Sequence, residues 1–146
     1  MGGFAFLDRW RHRQPGPDGG RGELSPADAG TLAEMLSECA LLREQAAAEG
    51  VTADDTPASL AALDQVLPEW RDDPERSAEL GHDAGLYLGT VIVRTVPGTA
   101  WTLLGDGRPV IRLASGRELD VVAVGESWAQ DGAPELWQVY SEADER

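Results

Sequence analysis

Three glycines spaced four residues apart, Gly81, Gly85 and Gly89, stand inside a largely apolar stretch, residues 77–96. On a helix that spacing lines them along one face. Each interior glycine costs a helix about 1 kcal/mol relative to alanine. A helix that carries three is worth forming only where another element presses closely on the glycine face. Val91, Ile92 and Val93 favour a strand by β-branching. Against that, Leu80, Ala84, Tyr87, Leu88, Val91 and Thr95 recur at helical spacing, and the stretch is longer than ordinary strands. The expectation is a buried helix over residues 77–96 with a close neighbour.

The flanking segments build on that helix. Ser25 can accept an N–H bond as an N-cap, Pro26 suits the first helical position and Asp28 sits near the positive helix end. Leu32, Met35, Leu36, Cys39, Leu42 and Ala46 then form an apolar stripe, and Gly50 is a plausible stop, so one helix is expected over this stretch. Thr56-Pro57 starts a second, carrying Leu60, Leu63, Val66 and Leu67 and expected to end before Pro68. Residues 70–75 read as a loop. After Pro97-Gly98, residues 100–104, 109–114 and 118–124 read as three short strands. Gly105-Asp106-Gly107 and Ser115-Gly116 supply the turns of an antiparallel meander. Pro134 opens a last short helix with Leu136, Trp137, Val139 and Tyr140. The fold class is therefore α+β: N-terminal helices packed on a small antiparallel three-stranded sheet, with a short C-terminal helix.

Residues 1–24 read as a basic, Gly/Pro-rich N-terminal tail, and residues 25–146 as a single domain. In the tail, Phe4, Phe6, Leu7 and Trp10 lie among Arg9, Arg11, His12 and Arg13, a short amphipathic pattern that could dock on the domain, a partner or lipid. The chain's net charge of −14 is unevenly spread. Residues 23–83 hold fifteen acids against three arginines, while residues 1–22 are slightly basic. Such a field repels nucleic acid and anionic membrane and favours a basic partner or plain solubility. Cys39 is the only cysteine, so no intramolecular disulfide can form, which fits a reducing compartment. No run of about eighteen apolar residues exists for a membrane span, and no signal peptide is evident. A cytoplasmic location is expected.

Cys39 lies mid-helix on the apolar stripe, far in sequence from both histidines, which suits a buried structural thiol better than a nucleophile. His82-Asp83 is the one His–carboxylate pair in the domain, but sequence neighbours on a helix point apart. Asp54, Asp55, Asp72, Asp73 and Glu75 form the densest acid clusters, without the alternation, glycine turn and closing Glu of a calcium loop. The glycine turns match neither a P-loop nor a dinucleotide fingerprint, and Gly-x-Ser-x-Gly is absent. No catalytic, cofactor-binding or metal residues are assigned. Five tryptophans remain, rich material for a core or an interface.

Several segments carry a resemblance: Asp-Asp-Thr-Pro-Ala-Ser-Leu (54–60), Leu-Asp (63–64), Trp-Arg-Asp-Asp-Pro-Glu (70–75) and Gly-Leu-Tyr-Leu-Gly-Thr-Val-Ile-Val-Arg (85–94). Trp101, Gly-Arg-Pro-Val (107–110) and Ser-Gly-Arg-Glu-Leu-Asp-Val-Val (115–122) extend it. Together they resemble an uncharacterised family of small acidic proteins from actinobacteria, Streptomyces in particular, over roughly residues 30–142. The absence of Lys and Asn, beside abundant Ala, Gly, Pro and Arg, matches the GC-rich codons of such genomes. The resemblance implies a cytoplasmic setting; it carries over no activity and leaves the arginine-rich tail outside.

The reading that best fits these residues is a non-enzymatic protein-binding domain, of adaptor, inhibitor or immunity type, that engages a basic partner through its acidic helical half. Asp54, Asp55, Trp70, Asp72, Asp73 and Glu75 are the residues nominated for that contact. Self-association stays open. The alternative is a small-molecule sensor with a pocket between the glycine-rich helix and the sheet, anchored by Arg94 or Arg112. An enzyme built on His82 and scattered acids ranks third.

Overall fold

The computed structural model describes residues 25–37, 39–70 and 74–144, so the N-terminal tail, Asp72 and Asp73 lie outside it. Helices α1 (Pro26–Ser37), α2 (Cys39–Ala48), α3 (Pro57–Trp70) and α4 (Pro74–Thr95) precede strands β1 (Ala100–Leu103), β2 (Pro109–Arg112) and β3 (Glu118–Leu119). Helices α5 (Val121–Asp131) and α6 (Leu136–Ala143) close the chain. The architecture is α+β.

The glycine-spaced stretch is indeed a helix, and the fold is built around it. Helix α4 packs against α1, α2, α3, α5, α6, β1 and β2. Its tightest neighbour is α5. A Cβ placed on Gly85 would overlap the carbonyl of Val121 and lie 2.8 Å from the Val122 Cα. One placed on Gly125 of α5 would run into the backbone of Gly81 and Gly85, so the glycines of the two helices face each other. Gly89 makes room instead for the indole of Trp101 on β1. Around this crossing Leu86, Tyr87, Leu88, Ile92, Leu103, Ile111, Trp128 and Leu136 are all fully buried. Each such side chain contributes about 1.5–3 kcal/mol relative to exposure.

The sheet is the expected antiparallel meander in the order β1-β2-β3. Trp101 pairs with Ile111, and Arg112 with Glu118. The first hairpin turns through Gly107 at φ 86°. There Leu104 N–H donates to Arg108 O at 2.9 Å, and Gly107 N–H to Leu104 O at 2.8 Å. That is the three-residue hairpin whose last position needs a left-handed residue. Gly50 ends α2 as anticipated: Val51 N–H reaches back to Ala46 O at 2.8 Å and Gly50 N–H to Ala47 O at 3.0 Å, the Schellman pattern.

The stretch expected as one helix before Gly50 is helical on both sides of residue 38, which lies outside the described residues. Three other expectations are corrected. Pro68 does not stop α3, which runs to Trp70. The proline sits on the exposed side in the last turn, where it removes one ladder bond, while Trp70 beyond it is buried to 1%. The loop reading of residues 70–75 fails at both ends, because Trp70 is helical and α4 starts at Pro74. Most consequentially, only Glu118 and Leu119 of residues 118–124 are strand. Asp120 caps α5 by accepting Ala123 N–H at 3.1 Å, and Val121, Val122, Gly125, Trp128 and Ala129 form its buried face.

Candidate functional site

The nominated residues follow separate fates. Asp55 lies in the connection between α2 and α3 at φ 65°, a left-handed conformation that aspartate tolerates better than most residues. Both its carboxylate oxygens are occupied. Arg43 of α2 donates to Oδ1 at 2.8 Å and Arg94 of α4 to Oδ2 at 2.9 Å. Arg43 also donates to Ala53 O at 2.5 Å, and its guanidinium lies 5.2 Å from the Tyr87 ring centroid. Below, the Tyr87 hydroxyl accepts Asp55 N–H at 2.8 Å and shares a 2.7 Å bond with Ser59 Oγ. Burial pushes the Tyr87 phenol above its ordinary value of 10.0, with the Ser59 bond opposing. Asp55 thus ties α2, α3 and α4 together and is not presented to a partner.

Trp70 belongs to the core. Asp54 and Glu75 are the two nominated acids that the structure places at the surface. Thr56 Oγ1 donates to Asp54 Oδ1 at 2.6 Å, which holds that carboxyl below its ordinary value. Of the arginines offered as sensor anchors, Arg94 is committed to Asp55. The groove beside the glycine-rich helix, about 510 Å³, is lined by neither Arg94 nor Arg112 but by Met35, His82, Asp106, Arg108, Val122 and Glu126, among others. Arg108 donates to Asp120 at 2.7 Å and lies 4.0 Å from Glu126, so its charge is already met. The His82 Nδ1 to Asp83 Oδ1 distance is 3.9 Å, too long for a hydrogen bond. Cys39 is buried, its thiol 3.6 Å from the Asp83 carbonyl oxygen. Among the described residues, no group of three or more His, Cys, Asp and Glu could hold a metal, and no helix is long and apolar enough to cross a membrane.

Two features matter beyond the nominated residues: Asp64 and one of the five tryptophans. Asp64 of α3 accepts Trp128 Nε1–H and Leu136 N–H, each at 2.8 Å, and Trp137 N–H at 3.1 Å. It caps α6 from another helix and anchors the α5 indole at once. The signal was present: Asp64 stands four residues after Leu60 and three before Leu67, an acid on the apolar stripe. The second is Trp137, 43% exposed, the large hydrophobic side chain that the described domain leaves at its surface. It stacks on Tyr140 with ring centroids 5.8 Å apart and planes at 25°. Around it the chain is strongly acidic, because residues 118–144 contain seven acids and no arginine or lysine.

A family model of unknown function matches residues 2–146. The chain belongs to DUF6278. The DUF6278 match is wider than the resemblance read from the motifs and takes in the arginine-rich residues near the N-terminus. No curated protein and no solved structure matches the chain at a significant level.

Proposed function

We propose that this DUF6278 protein is a protein-binding domain, of adaptor, inhibitor or immunity type, whose acidic surface engages a basic partner. One observation carries the reading. Among the described side chains of residues 25–83, Glu34, Glu44, Glu49, Asp54, Glu75 and Glu79 are exposed. The arginine described in that span, Arg43, is tied to Asp55. An excess of fixed negative charge attracts a basic surface at long range, raises its association rate and discourages acidic competitors. The lone buried thiol and the Lys-free composition support a setting in the reducing cytoplasm of a high-GC bacterium.

Affinity capture tests the reading. Immobilised full chain is exposed to host lysate at about 50 mM salt, and bound protein is then challenged at about 500 mM, where screening reaches within a few ångströms. A variant carrying Glu34→Arg, Glu44→Arg, Glu75→Arg and Glu79→Arg serves as the control. A basic protein should be retained by the wild type at low salt and lost both at high salt and on the variant. Retention of the same proteins by both chains would remove the basis for the proposal.

A further inference from the structure

We infer that Trp137 is the anchor for an arginine-rich segment of the partner, which docks on the outer face of α6. This rests on the proposal that the partner is basic, and adds where it binds and which chemistry is recognised. The described tryptophans other than Trp137 are buried: Trp70 at 1%, Trp101 at 9% and Trp128 at 0% exposure. Trp137 is the exception, and the fold holds it firmly in that exposed position. Asp64 grips the backbone N–H groups of Leu136 and Trp137. The indole leans on Tyr140, itself buried to 7%, whose hydroxyl shares a 2.8 Å bond with Thr95 Oγ1 of α4. A rigid exposed indole loses little conformational entropy on binding, which is the property that makes tryptophan an interface hot spot.

The surrounding chemistry selects the occupant. Glu135 precedes α6 and is exposed, as are Gln138 and Glu142 on the helix itself. Gln138 Nε2 donates to Glu142 Oε2 at 3.4 Å. The seven acids of residues 118–144 have no basic residue among them; Arg108, reaching from the first hairpin, meets Asp120 and Glu126, and Arg117 lines the same groove as Glu142, which leaves Glu135 as the exposed acid beside α6 with no basic side chain described against it. A planar guanidinium can stack on an indole face while its N–H groups bond a neighbouring carboxylate. An ammonium does the first less well and cannot bond in bidentate fashion, whereas phosphate-bearing partners are repelled. Arginine is therefore the side chain this face is built to take.

The test is an NMR titration of the ¹⁵N-labelled full chain with an oligo-arginine peptide. Indole N–H resonances are followed, and that of Trp137 is assigned by its loss in Trp137→Phe. The Trp137 resonance should move most, and affinity should fall about tenfold in Trp137→Ala, a typical hot-spot loss. Affinity should fall also in Glu135→Arg, an exposed substitution that leaves the core untouched, and oligo-lysine should bind more weakly than oligo-arginine. If the peptide binds with unchanged affinity to Trp137→Ala and shifts only residues of α1, α2 and the start of α4, the docking site is wrong while the basic-partner reading stands. If no peptide binds at low salt, both fail. Two further results would overturn the inference by assigning another occupant. One is a Trp137 shift that tracks protein concentration, which points to a second copy. The other is a Trp137 shift on changing Arg9, Arg11 and Arg13 to Glu without peptide, which points to the chain's own N-terminal segment.

Discussion

Asp64 and Tyr87 show how single polar groups organise this domain from inside. Removing the Asp64 carboxylate strands three donors, one of them on the fully buried Trp128. Asp64→Ala should therefore cost about 2–3 kcal/mol, read as a lower urea midpoint, while Asp64→Asn, which keeps an acceptor oxygen, should lose less. Tyr87→Phe removes the hydroxyl shared by Asp55 N–H and Ser59, and should cost about 1–2 kcal/mol near neutral pH. Tyr87 also predicts a pH dependence. Its folded value is raised, so above the unfolded value near 10.0 the folded state holds the proton more strongly. The stabilisation is complete below about pH 10 and is lost as pH rises through the folded value. The urea midpoint of the wild type should accordingly fall above pH 10 more steeply than that of Tyr87→Phe. These roles were only partly legible in the chain. The acid on the α3 stripe was visible at Asp64, whereas nothing local told Asp55 from Asp54, since its fate depends on arginines twelve and thirty-nine residues away.

The element that could be read most directly was α4, because the glycine spacing has one efficient physical use, a close helix crossing. What it crosses was not legible. Val121, Val122 and Val124 mimic a strand and follow two residues that are strand, so β-branching outweighed the helical signals beside it. Those signals were Asp120 as N-cap, buried positions at 121, 122, 125, 128 and 129, and Gly132 at φ 76° as the stop. Only tertiary packing on the glycine face of α4 makes the helix win. The crossing predicts opposite outcomes for three alanine substitutions. Gly85→Ala and Gly125→Ala drive a methyl into the backbone of the opposing helix, which cannot yield as a side chain could, and should cost about 3 kcal/mol or more. Gly30→Ala on α1 meets nothing within 4 Å and should raise stability by up to about 1 kcal/mol. Thermal or urea unfolding of the three variants distinguishes packing from propensity.

Across the whole molecule, charge is the property that points outward. Beyond the acidic helical half, residues 84–146 hold nine acids against five arginines, unevenly placed along the chain. Four arginines lie in residues 94–117, and residues 118–144 are again purely acidic. Arg94 and Arg108 are spent on Asp55 and Asp120 and Arg117 shares a groove with Glu142, so the acids at the α5–α6 end are met only in part by arginines from the sheet. Of the residues nominated at 54–75, Trp70 is buried and Asp55 is ion-paired, while Asp54 and Glu75 are exposed. The DUF6278 match begins at residue 2 and so covers the arginine-rich segment. The central claim is that fixed negative charge draws a basic partner to this domain. The most direct measurement is the association rate of the captured partner with the full chain, from about 20 to about 200 mM salt. We expect a fall of about tenfold or more, and a low rate with little salt dependence for the variant carrying arginine at 34, 44, 75 and 79. An association rate indifferent to both salt and charge reversal would contradict the account.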